Sequence, residues 1–181
     1  MFRRLLACAL GLALLGAHRP LTIFDLADAV GKPAPPVTLA LDGGSSLTIA
    51  SLRGEPTYVF LFASWCEPCT RAMPFVRADY ARFGDRVRFV GVDVMDEPDA
   101  ARAAIAKDAL PFPVAIYPID TLDATIAPVA QLQAGAKYQI PTEFLLDADG
   151  VVRFAWHGLA IDTSGTPQDL LPGYLAQLGI Q

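Results

Sequence analysis

Few residues in this chain could hold a metal ion or a polyanion. Its 181 positions include three cysteines, two histidines and three lysines against eleven arginines. Charged residues make up 18%, the formal charge is −5, and no cluster of Lys and Arg marks one face, so nucleic acid has no electrostatic footprint here. No glycine-rich phosphate cradle is present, so a nicotinamide or flavin cofactor has no fingerprint either. No run of about 20 apolar residues offers a membrane-spanning helix of ordinary length, and no internal repeat breaks the chain into modules. What remains is a hydrophobic fraction of 53%, which belongs to a globular chain and not a disordered one. The length suits one domain with a full core.

The first thirty residues read as an address. Arg3 and Arg4 precede Leu5–Ala17, thirteen residues without a charge, and His18-Arg19-Pro20 ends the run. That pattern is a basic n-region followed by a secretory h-region, with residues 1–17 as a cleaved signal or, in the competing reading, an N-terminal membrane anchor. Cys8 lies inside the run and reads as a passive small apolar residue. Residues 18–30 read as a linker, with a short helix over Thr22–Val30, and residues 31–181 as the domain.

Leaving the signal aside, two cysteines remain, in Trp65-Cys66-Glu67-Pro68-Cys69. Tyr58-Val59-Phe60-Leu61-Phe62 before them reads as a buried strand, and Met73, Val76, Tyr80 and Phe83 after them have helical spacing. The pair therefore stands where a strand runs into a helix, with Cys66 exposed at the helix N-terminus. Free N–H groups and the helix dipole favour a thiolate there, so Cys66 suits attack and Cys69, one turn on, suits resolution of a mixed disulfide. A zinc site would need two further ligands, and Cys8, His18 and His157 are poorly placed to supply them. A purely structural disulfide closing so short a loop would stabilise little.

The pentapeptide Trp65–Cys69 resembles the motif of the thioredoxin superfamily, and most of all that of its TlpA/ResA-type bacterial thiol-disulfide oxidoreductases, which share the Glu-Pro dipeptide. Pro74 and Ile140-Pro141-Thr142 match, in order, the helix proline and the cis-proline loop of that superfamily. Gly31-Lys32-Pro33-Ala34-Pro35 and Leu47–Gly54 are similar to its N-terminal hairpin. The resemblance spans about Gly31 to Leu178. It implies an α/β, thioredoxin-like fold, with a central mixed β-sheet flanked by helices, an N-terminal β-hairpin, and a central βα insertion over about Pro98–Pro118.

Segment by segment, the chain suggests a hairpin of Val37–Leu41 and Leu47–Ile49, then strands at Val87–Val94 and Phe112–Tyr117 with a helix from Pro98 to Ala109 between them. It further suggests a helix over Asp123–Ala134, a hairpin of Thr142–Leu146 and Val151–Trp156, and a closing helix over Pro167–Leu178.

By resemblance, Cys66 and Cys69 carry the exchange, with Trp65, Glu67, Pro68, Ile140 and Pro141 forming the surface that meets a substrate chain. Glu67 opposes thiolate formation and favours a reducing pair. One departure is plain: the strand before the motif lacks the buried aspartate of thioredoxins. Glu143 is the first replacement candidate for that proton-handling group, and Asp93 the second. His157 reads as a surface residue. The expected function is extracytoplasmic disulfide reduction, in the periplasm or anchored to the inner membrane facing it. The chain would act as a monomer with no cofactor beyond the redox-active disulfide and no metal. Clients would be proteins with cysteine pairs, in cytochrome c maturation or oxidase copper-site assembly, and electrons would come from a membrane thiol reductant. A disulfide oxidant or isomerase of the same fold, or a Cu(I) metallochaperone using the pair as soft ligands, stays open.

Overall fold

The computed structural model describes residues 29–34, 37–94, 96–117 and 139–181. The signal or anchor, most of the Thr22–Val30 helix and the whole Asp123–Ala134 helix lie outside them. A small antiparallel hairpin comes first, β1 (Thr38–Ala40) and β2 (Ser46–Thr48), with Thr38 opposite Thr48. Then follow β3 (Thr57–Phe62), α1 (Glu67–Phe83), β4 (Arg88–Val94), α2 (Pro98–Asp108), β5 (Val114–Tyr117), β6 (Thr142–Leu146), β7 (Val152–His157) and α3 (Leu171–Gln177). The main sheet has the order β5-β4-β3-β6-β7, parallel through β5, β4 and β3 and antiparallel through β6 and β7.

Strand period explains the layering. Along β3, Tyr58, Phe60 and Phe62 face one side and Val59 and Leu61 the other, and every residue of the strand is buried. A central strand covered on both faces must be apolar throughout, as this one is. Tyr58, Phe60, Phe62, Phe89 and Leu145 pack against Met73, Val76 and Phe83 of α1 and Leu171 and Leu175 of α3. Val59, Leu61, Val90, Val92 and Phe144 pack against Leu39 and Ile49 from the hairpin region. Gly91 of β4 is where the first face is tightest: a Cβ there would stand 3.0 Å from Val114 and 3.3 Å from Phe112, so only glycine leaves the aromatic layer undisturbed.

The expected α/β sheet, hairpin and βα insertion are all present, with α2 and β5 adding a parallel strand at the β4 edge. The closing helix is shorter than its pattern implies. Pro167 bridges to Ile161, the Gln168 amide donates to Ala160 O at 2.8 Å, and Asp169 accepts from the Leu171 amide, so residues 167–170 are engaged in a loop and the helix begins at Leu171. Ala29 and Val30 are likewise in a turn, not in a helix.

Candidate active site

Cys66 and Cys69 are joined as a disulfide, with Cα atoms 5.2 Å apart. Their place follows from the chain around them. β3 ends at Phe62 in the core, three residues cross the sheet edge, and Cys66 is the N-cap of α1, its sulfur accepting the Cys69 amide at 3.1 Å. Pro68 in the first turn has no N–H to lose, and Glu67 complements the dipole. The dipole and free amides of the helix start are thus aimed at Cys66, as its sequence position implied.

Exposure differs from that expectation. Cys66 is only 4% exposed and Cys69 1%, both inside the apolar cluster of α1. Of the two, Cys66 alone lines the groove at this end of the sheet. Trp65, at 61% exposure, stands on its rim. Glu67 is also exposed and lies 3.7 Å from Arg71, a solvated pair of small energetic weight.

The opposite wall comes from the β6 entry. Ile140-Pro141 is a cis peptide bond, and two ties hold its loop: the Thr142 hydroxyl donates to Gln139 O, and the Gly158 amide donates to Pro141 O at 2.8 Å. Gly158 has φ +76°, a turn that L side chains rarely adopt. Because β6 and β7 pair with Thr142 opposite His157, the end of β7 delivers His157 and Gly158 to the same groove as Cys66. His157 is exposed, as expected, but it is also a wall of the site, which its sequence position did not reveal.

Glu143 lies cross-strand from Phe60 and shares a face with Tyr58, which points it toward α1. It is 8% exposed, and the Tyr58 hydroxyl donates to it at 2.5 Å. Burial pushes its carboxyl up to about 7 against the pull of hydrogen bonds from Tyr58 and Trp156. The same burial, with Glu143 beside it, raises the Tyr58 hydroxyl well above its ordinary value. Glu143 does not open onto the disulfide groove. It lines a neighbouring cavity of about 20 Å³, room for one water molecule, with Ala72, Val76, Asp79 and Asp169. Asp79 is buried on α1, and Asp169 reaches it from the loop before α3; burial first, then the Asp169 charge, raise the Asp79 carboxyl above the usual carboxylate range. Asp79 was visible in the sequence as an acid on the apolar stripe of α1, three residues after Val76. Asp93, the second candidate, is fully buried at the C-terminal end of β4, cross-strand from Phe62 at the end of the sheet that carries the redox loop.

Sheet order and redox pair together define a class, thioredoxin-like folds that carry a Cys-x-x-Cys disulfide at a helix head. The chain belongs to the Redoxin family, whose sequence profile matches residues 29–166. It is similar to the thiol-disulfide oxidoreductase ResA of a Bacillus cereus strain, 27% identical over 124 residues, which cover 68% of this chain and 66% of that protein. ResA of Bacillus subtilis (strain 168) is 27% identical over 150 residues, 81% of this chain and 76% of that one. Among solved structures, StoA of Bacillus subtilis superposes with TM-score 0.54 at 23% identity, covering 70% of this chain and 91% of StoA. A secreted Mycobacterium tuberculosis disulfide oxidoreductase homologous to E. coli DsbE superposes with TM-score 0.61 at 23% identity, covering 78% and 96%. The chain thus spans about two thirds of the length of the Bacillus cereus relative.

Proposed function

We propose that the chain reduces disulfides in client proteins by thiol-disulfide exchange at Cys66 and Cys69. The observation that carries this reading is a closed pair in which only the helix-capping sulfur faces a groove. In the reduced form the Cys66 thiolate attacks a client disulfide, forming a mixed disulfide and releasing the client's other sulfur as a thiolate. Cys69 then loses its proton and attacks Cys66, the protein disulfide closes, and the client leaves with both sulfurs reduced. Trp65 and Ile140 supply apolar surface beside the entering sulfur, and the Ile140–Pro141 backbone gives a client strand an edge to pair with.

Reduction is favoured over oxidation on electrostatic grounds. Oxidants of this fold draw their poise from a stabilised thiolate. Here Glu67 adjoins Cys66 and no described lysine or arginine lines the groove, so the thiolate has only the dipole and amides of the helix start. The signal-like N-terminus supports work on the extracytoplasmic side, where a free pair would be oxidised unless a membrane thiol reductant recharged it. Resemblance to ResA supports the cysteine pairs of apocytochrome c or of oxidase copper sites as clients.

The deciding measurement is the reduction potential of the pair in glutathione or dithiothreitol buffers. A value near about −270 mV is expected; one near about −120 mV, some 7 kcal/mol away for two electrons, would move the protein to the oxidants or isomerases. Absence of any reversible couple would favour the Cu(I) carrier.

Glu143, on the α1 face of the sheet that also buries Cys69, is assigned the proton of Cys69. With a carboxyl near pH 7 it is suited to accept that proton. Glu143→Gln keeps an acceptor for Tyr58 but cannot take a proton. It should slow client release by about ten-fold or more and remove the inflection near pH 7 from the rate profile. A profile unchanged from the parent would end this assignment.

A further inference from the structure

The stretch between β3 and α1 is gripped by a side chain that the exchange steps do not use. Ser64 lies two residues before Cys66, and both of its donors go to Asp96: the backbone N–H to Oδ2 at 2.6 Å and the hydroxyl to Oδ1 at 2.9 Å. Asp96 is buried in the turn between β4 and α2. Next to it stands Asp93, fully enclosed, cross-strand from Phe62 and Ile116. Neither oxygen of Asp93 has a donor among the described residues, so an ionised carboxylate there would be bare in a low dielectric. Burial, then the charge of Asp96, push the Asp93 carboxyl up to about 8. A neutral Asp93 has one O–H to give, and Asp96 is the adjacent acceptor. The Asp96 carboxylate thus collects two donors from the redox loop, with the Asp93 carboxyl buried beside it.

That arrangement matters most when the disulfide is open. The covalent bond no longer ties the loop to the helix, yet Cys66 must stay at the head of α1 to keep the amides and dipole that favour its thiolate. We propose that Asp96, backed by Asp93, is a positioning residue of the redox loop whose grip on Ser64 holds Cys66 at the helix N-terminus for attack. This rests on the exchange reading of the Cys66–Cys69 pair. A loop displaced by an ångström costs far more in rate than in fold stability.

The test compares the parent with Asp96→Ala, Asp96→Asn and Ser64→Ala, all in the reduced form. Two quantities are read: amide hydrogen exchange at Ser64 and the rate of attack on glutathione disulfide. Asp96→Ala should lose Ser64 protection and slow attack by about ten-fold or more. Asp96→Asn, which keeps an acceptor for the amide, should recover most of both. Ser64→Ala, lacking only the hydroxyl bond at an exposed position, should slow attack about three-fold. Parental protection and rate in Asp96→Ala would overturn the proposal, as would Asp96→Asn falling as far as the alanine variant. Should Asp96→Ala not fold, Ser64→Ala decides: attack at the parental rate overturns the proposal. If the parent attacks no disulfide, the exchange reading fails, while Ser64 protection in the variants still decides this one.

Discussion

Cys69→Ser should convert the protein into a trap. Cys66 sits at the N-cap and is the pair's only sulfur on the groove, so it can still attack a client; Cys69, at 1% exposure behind it, is the only thiol among the described residues placed to release that client. With serine there, no second thiol stands beside Cys66 among the described residues, and mixed disulfides between Cys66 and clients should accumulate as adducts that dissolve on adding dithiothreitol. Multiple turnover should fall by about a thousand-fold, the scale set when one member of a nucleophilic pair is removed. Cys66→Ser should fall as far and yield no adducts, because Cys69 cannot reach the groove. Adducts of equal amount in both variants would reverse these roles. The trapped species also offers the direct route to the client, since mass spectrometry of the adduct identifies the partner cysteine.

The second large effect is on stability against pH. Glu143 and Asp93 have folded-state carboxyls at about 7 and about 8, and Asp79 is raised as well, in each case chiefly by burial. An acid raised on folding binds its proton more tightly in the native state. Its contribution is therefore complete below the unfolded value near pH 4 and is lost as pH rises through 7 to 8. The lowered carboxyls, Asp147 and Asp162, act in the opposite sense but only below about pH 4. Between pH 5 and pH 8.5 the oxidised protein should thus lose on the order of 7 kcal/mol, or roughly 20 °C in melting temperature for a chain of this size. Glu143→Gln and Asp93→Asn, neutral at every pH, should each flatten the curve. A melting temperature constant or rising across that range would show that these carboxyls are ionised in the fold.

The two effects draw on different parts of the molecule, and those parts were unequally legible. The cysteine pair and its junction could be read because they are local: an apolar strand, a proline-bearing helix start and three intervening residues suffice to put Cys66 at a helix head. The cis-proline loop was legible by resemblance. The acids were not, except for Glu143 and Asp93, singled out because β3 lacks a carboxylate. Asp79 sat on an apolar stripe, a sign of burial, but nothing near it in the chain named Asp169 as its neighbour. The closing helix was read too long for a related reason: residues 167–170 have a helical pattern, but Ala160 O takes the Gln168 amide and the Asp169 carboxylate takes that of Leu171.

By itself, then, the sequence determined the alternation that makes a two-faced sheet, the strand-to-helix junction and the chemistry of the pair, all set by spacing within a few residues. Tertiary structure alone decided how much of Cys66 is covered, that His157 borders the groove, and which carboxyls meet. Tyr58 and Glu143 are 85 positions apart and Ser64 and Asp96 are 32 apart. Hydrogen bonds act over a few ångströms, and at such separations only strand register and the seating of α1 bring the partners within reach.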